Sequence, residues 1–160
     1  RYASEVVRAL DALVANGDPR AADLHLEILV PPSPTLSLPL TAIPTRSVAG
    51  PTGQIWEQRA LLRAASGGLL SLCNTGPVAH SRQVVCIHDA STRSVPESYA
   101  YAFRTFYRFL QPPLCRRATA VTTVSHFSAG ELERYHIVDP GKVRVVPNGH
   151  EHVLRWAPQH

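Results

Sequence analysis

Two titratable side chains, His88 and Asp89, follow directly on four apolar residues, Val84, Val85, Cys86 and Ile87. The run does not alternate apolar with polar, which is how a strand covered on both faces of a parallel sheet reads. Such sheets bind ligands beyond the carboxyl ends of their strands, so the pair falls where a site is expected. An imidazole there can orient or polarise a ligand. A neighbouring carboxylate can fix the ring or accept hydrogen bonds from hydroxyl groups. The plain alternative is a loop histidine beside a solvated carboxylate. His150 and His152 bracket Glu151, but metal-binding histidines on a helix stand one turn apart, so this trio predicts no metal site. No cofactor is expected.

The elements that must position His88 and Asp89 alternate along the chain. Tyr2 to Ala15 carries Val6, Leu10, Leu13 and Val14 at helical spacing, and Gly17 stops it. "ADLHLEILVP" reads as a strand ending at Val30, "PPSP" as a surface turn, and Leu38 to Ile43 as a short extended segment. Gln54 to Ala65 reads as a helix closed by Gly67 and Gly68, and "LLSLCN" as a buried strand that takes in Cys73. Beyond His88, Tyr99, Phe103, Phe106 and Leu110 recur three or four residues apart, an aromatic helix face predicted to lie on the sheet. The Pro112–Pro113 pair is expected to end that helix, with a separate short segment from Leu114 to Arg117. "AVTTV" is a strand. Ser128 and Glu131 then predict a capping box, with Phe127 and Leu132 as its hydrophobic staple. "KVRVVPNG" is a last strand and turn. Strands and helices in alternation predict an α/β, Rossmann-like, doubly wound parallel sheet. Such folds normally open on a strand and this sequence opens on a helix, so a first strand is expected to be missing from it.

Composition narrows the function classes. A chain of 160 residues with 44% hydrophobic content suits one soluble domain. No apolar run nears the roughly 20 residues of a membrane span, and the opening helix is amphipathic, so a cytoplasmic protein is expected. Three unpatterned cysteines give no disulfide framework. The net charge of +4 is almost all arginine, Lys142 being the single lysine. That favours an anionic partner such as phosphate groups or an acidic membrane surface. Nucleic acid is not expected, because the aromatics keep helical core spacing instead of interleaving with basic residues.

Four segments in order, "IHD" at residues 87–89, "RRA" at 116–118, "TVSHFSAGEL" at 123–132 and "KVRVVPNG" at 142–149, resemble the amino-terminal domain of family 4 glycosyltransferases. These are retaining enzymes of the GT-B fold, many of them bacterial mannosyl- and rhamnosyltransferases. The resemblance implies two Rossmann-like domains across a cleft, the second holding most of a nucleotide-sugar. It implies that residues 1–149 form the acceptor-side domain and that 150–160 begin the linker to a second domain lying outside the sequence. A glycine-rich "GxGRY" loop in the family would place Arg1 and Tyr2 at its end, beside the donor diphosphate.

On that resemblance the donor is a GDP-, UDP- or dTDP-sugar and the acceptor a saccharide or polyprenyl-linked molecule. Contact with the inner face of a membrane would be peripheral. His88 matches the family histidine near the anomeric carbon, with Asp89 orienting it or binding acceptor hydroxyls. Asn74 either lines the acceptor cleft or merely begins the Thr75 to Pro77 turn. Ser125 and Ser128 are placed to meet a polar substrate, although helix capping accounts for Ser128. Arg93, Arg104, Arg116 and Arg117 either hold a lipid-linked acceptor's phosphates or sit on solvated helix faces. The competing class is a non-catalytic α/β binding module derived from such a domain.

Overall fold

The computed structural model describes residues 1–32 and 38–149. The chain is α/β, with parallel sheets flanked by helices. Helix α1 runs over Tyr2–Ala15 as its spacing predicts. Its face is only half-buried, and the residue it buries is Asp11. That carboxylate accepts the N–H groups of Thr41, Ala42 and Ile43 at 2.8–2.9 Å and the Thr41 hydroxyl at 3.0 Å. Four donors compensate for its burial and pin the incoming loop to α1. The predicted strand through Val30 shrinks to β1, Ile28–Val30. Asp18 caps a 3-10 turn at Pro19–Ala21 ahead of it. The partner of β1 is β2, Thr45–Ser47, which lies beyond the expected Leu38 to Ile43 segment. Asp11 claims the 41–43 N–H groups, so they are unavailable to a sheet. Ser33 and Pro34 of the expected turn lie outside the described residues.

The expected helix from Gln54 forms in three pieces: α2, Gly53–Ile55; a π-helical stretch, Trp56–Leu61; and α3, Leu62–Ala64. The wider π turn is fixed from outside. The Trp56 indole N–H donates to the Val48 carbonyl at 2.8 Å, while Glu57 and Gln58 reach the following loop. Strands β3, Leu69–Ser71; β4, Gln83–Cys86; β5, Ala120–Thr123; and β6, Val143–Val145, then build a parallel sheet in the order β3-β4-β5-β6. Helices α4, Ser91–Ser94, and α5, Tyr101–Arg117, connect β4 to β5, and α6, His126–Arg134, connects β5 to β6. The β1–β2 pair forms a separate parallel sheet, and among the described residues no strand pairs with both.

The core lies where β4 and β5 meet the second half of α5 and α6: Val85, Ile87, Leu114, Cys115, Val121, Leu132 and Ile137 are nearly sealed from solvent. This settles two readings of α5. The helix does not stop at Pro112–Pro113 but runs through them. A proline at 112 cannot donate to the Arg108 carbonyl one turn back, and the Arg93 guanidinium donates to that oxygen instead, at 3.3 Å. The aromatic face is not laid in the core either. Phe103 is 45% exposed, and Tyr99, Phe103 and Tyr107 pack on one another in series with centroids 5.6 and 4.7 Å apart. Leu110 and Leu114 carry the packing. Cys73, expected in a buried strand, is exposed because β3 ends at Ser71, whereas Cys86 and Cys115 are buried. Burial pushes the Cys115 thiol up to about 12.

Candidate active site

The carboxyl ends of β3, β4 and β5 lie side by side, and the polar residues beyond them are tied together. Asn74 adopts a left-handed backbone, φ 62°, which asparagine tolerates better than other side-chain-bearing residues. Its N–H donates to the Cys86 carbonyl at 2.9 Å, and its side-chain oxygen accepts the His88 N–H at 2.7 Å. From the next strand the Thr123 hydroxyl donates to the His88 carbonyl at 3.3 Å. Both backbone groups of His88 are therefore held by side chains.

The imidazole is fixed as well. Its Nε2 lies 2.9 Å from the Leu72 carbonyl. A carbonyl only accepts, so Nε2 carries hydrogen, and in the tautomer with hydrogen on Nε2 alone Nδ1 keeps its lone pair. The Tyr2 ring packs edge-on against the imidazole, with centroids 4.7 Å apart. Burial, and then a hydrogen bond with the Cys86 thiol, raise the Tyr2 hydroxyl to about 12, so it stays protonated. Tyr2 also lines, with Arg1, an open cavity of about 690 Å³ that reaches Val146 and Asn148 beyond β6. The structure thus brings Arg1, Tyr2, Asn74 and His88 to one edge.

The loop after β3 is braced from below. Gln58 donates to the Gly76 carbonyl at 2.8 Å and accepts the Val78 N–H at 2.9 Å, while Thr75 donates its hydroxyl to Glu57 at 2.8 Å. Buried Gln83, the first residue of β4, donates to the Pro77 and His80 carbonyls. Burial raises the Glu57 carboxyl, against the opposing bonds from Thr75 and Gln58. Glu57 and Gln58 had no signal in the sequence. Both stand in the π turn and both bond the loop at residues 75–78, and π turns concentrate at functional sites.

Other expected residues have different placements. The Asp89 carboxylate accepts the Ser91 N–H at 2.7 Å, and the Leu72 carbonyl takes over the task of orienting the ring. Ser125 is the N-cap of α6 and accepts the Ser128 N–H at 3.0 Å. The capping register therefore starts three residues earlier than Ser128–Glu131, and Phe127, 79% exposed, staples nothing. Ser128 is buried as the partner of that cap. Arg93 lies apart from His88's cluster, lining a second cavity with Arg104. Arg116 and Arg117 are exposed at the far end of α5, bonded to the Pro112 and Ala79 carbonyls. The His150 to His152 trio lies outside the described residues. Among the described residues, no three His, Cys, Asp or Glu side chains converge as metal ligands, and no helix is long and apolar enough to cross a membrane.

A braced imidazole with one free nitrogen, at the carboxyl edge of a parallel sheet, suits a ligand rich in hydroxyl groups. A search of curated proteins and a search of solved structures each gave no significant match. The family described as Glycosyltransferase Family 4 matches residues 54–152, more than half of the chain, a span that includes Leu72, Asn74, His88 and Thr123 but not Tyr2. The chain belongs to glycosyltransferase family 4.

Proposed function

We propose that residues 1–149 form the acceptor-side domain of a retaining GT-B hexosyltransferase, with the mannosyl- and rhamnosyltransferase branch the nearest in motif. It would move a sugar from a GDP-, UDP- or dTDP-linked donor to a saccharide or polyprenyl-linked acceptor in bacterial surface polysaccharide synthesis. The setting is cytoplasmic, with peripheral contact at the inner membrane face. Residues 150–160, where the linker to a donor-binding domain would start, lie outside the described residues.

One observation carries the reading: His88 is held by Asn74, Thr123, Leu72 and Tyr2, with Nδ1 uncommitted. Breaking the bond from anomeric carbon to diphosphate develops positive charge on the sugar and negative charge on the leaving group. The enzyme must hold the sugar in one orientation while this happens. A rigid Nδ1 acceptor can receive one sugar hydroxyl and set that orientation. Arg1, at the mouth of the adjoining cavity, supplies a cation on the side where the diphosphate would lie. Asn74 acts through the His88 backbone it fixes, while Asp89 and Ser125 would add polar groups on the acceptor side.

The test is turnover of the native protein with a panel of sugar nucleotides, before and after His88→Ala. Loss of one oriented polar contact commonly lowers kcat about 100-fold, with nucleotide affinity nearly unchanged. Near-native turnover in a correctly folded variant would remove His88 from the site. Absence of turnover with every donor, with sugar binding retained, would favour the non-catalytic binding module.

A further inference from the structure

The second cavity, about 610 Å³, lies between α4 and the first half of α5. Three arginines line it, Arg93, Arg104 and Arg108, and none of its lining residues is acidic. Arg104 and Arg108 stand one turn apart on α5, an arrangement in which like charges repel. Burial first, and then the charge of Arg108, lower the Arg93 pKa, so the two cations feel one another.

Their protein partners leave capacity over. Arg93 donates to the Arg108 and Tyr135 carbonyls at 3.3 and 3.4 Å, and its Nε is buried without an acceptor. Arg104 makes one long bond to the Pro96 carbonyl, 3.4 Å, and lies 5.3 Å from the centroid of the Tyr101 ring. Arg108 is exposed, and its side chain makes no hydrogen bond or ion pair among the described residues. Neutral carbonyls orient these cations without neutralising them. The other lining residues include two aromatic rings, Tyr101 and Phe109, each 73% exposed. The volume is that of a small-molecule site and exceeds what a lone inorganic anion would fill.

We propose that this cavity binds a phosphate or diphosphate group carried on a larger organic molecule, with Arg104 and Arg108 on the oxyanions and the Tyr101 and Phe109 rings against the organic part. Arginine's planar fork suits phosphate oxygens, and the rings give the attached group an apolar contact. That the ligand is the glycosyl acceptor rests on the transferase reading above. The binding site itself does not.

The experiment is calorimetric titration of the native protein with inorganic pyrophosphate, comparing wild type with Arg108→Gln and Arg104→Gln. Arg116→Gln, at the other end of α5, is the control. Each cavity variant is expected to weaken the pyrophosphate isotherm about tenfold or more while the control and sugar-nucleotide affinity stay unchanged. Unaltered isotherms in both cavity variants would overturn the proposal. Co-sedimentation with phosphatidylcholine vesicles carrying a polyprenyl phosphate, lost in Arg108→Gln, assigns the phosphate to a lipid. Pyrophosphate binding with no vesicle capture assigns it to a soluble molecule. Arg108-dependent binding in a protein that turns over no sugar nucleotide would sustain the cavity and remove the transferase reading.

Discussion

Asn74 does two separable jobs, and substitutions can take them apart. Its backbone sits at φ 62°, where a side-chain-bearing residue such as alanine pays roughly 1–2 kcal/mol and glycine meets no such steric cost. Its side-chain oxygen holds the His88 N–H at 2.7 Å, a bond with a net contribution of about 1 kcal/mol. Asn74→Asp keeps the acceptor and tolerates the backbone, so its stability should stay near wild type. Asn74→Gly loses the bond alone, about 1 kcal/mol, with a further fraction from the freer unfolded chain. Asn74→Ala loses the bond and adds the backbone strain, about 2–3 kcal/mol in all. For a domain of this size that is a fall in Tm of about 4–12 °C. The assay is thermal unfolding of the native protein carrying each variant, with kcat measured alongside. Both Gly and Ala should lower kcat through the loosened His88 backbone. Equal stability of Ala and Gly would refute the strain argument, and an Asp variant as weak as Gly would refute the hydrogen-bond argument.

Two further outcomes follow from charge. The N–H groups of Thr41 and Ile43, chiefly, hold Asp11 down at about 2 against the opposing effect of burial. A depressed folded pKa stabilises above the unfolded value, roughly 4, and that stability is lost as pH falls toward about 2. Denaturant unfolding across that range should show a steeper acid loss in wild type than in Asp11→Asn; parallel curves would dismiss the loop-pinning role. Glu57 has the opposite sign, since burial raises its folded pKa. Its contribution is present at acid pH and declines as pH rises through that value. Glu57→Gln, which keeps an acceptor for Thr75, should therefore unfold at a higher denaturant concentration than wild type at neutral pH, with the gain vanishing in acid. A variant less stable at every pH would show that the charge itself holds the loop.

What could be read from the sequence and what could not divide along a physical line. The β4 strand and His88 beyond it were legible because burial on both faces writes an unbroken apolar run, and a parallel sheet puts its ligands at that end. The α1 boundaries were legible because local spacing and Gly17 state them outright. Three errors arose where a distant partner met a need that local reading counted as unmet. Pro112 and Pro113 should end a helix, yet Arg93, fifteen residues before the freed Arg108 carbonyl, supplies the missing donor and α5 continues. Residues 41–43 have strand-like composition, but the Asp11 carboxylate, some thirty residues away, takes their N–H groups. By sequence the imidazole of His88 has its neighbour Asp89 to orient it, but the Leu72 carbonyl serves it from just beyond the adjacent strand. In each case the sequence states the demand and only the fold names the supplier. The same reasoning explains the arginine cavity. Spacing along α5 shows Arg104 and Arg108 on one face, a pattern shared by solvated helices. It is Arg93, arriving from α4 to bond the Arg108 carbonyl that Pro112 leaves free, that gathers three cations around one space with no acid among them. An anion is the supplier that this demand still lacks.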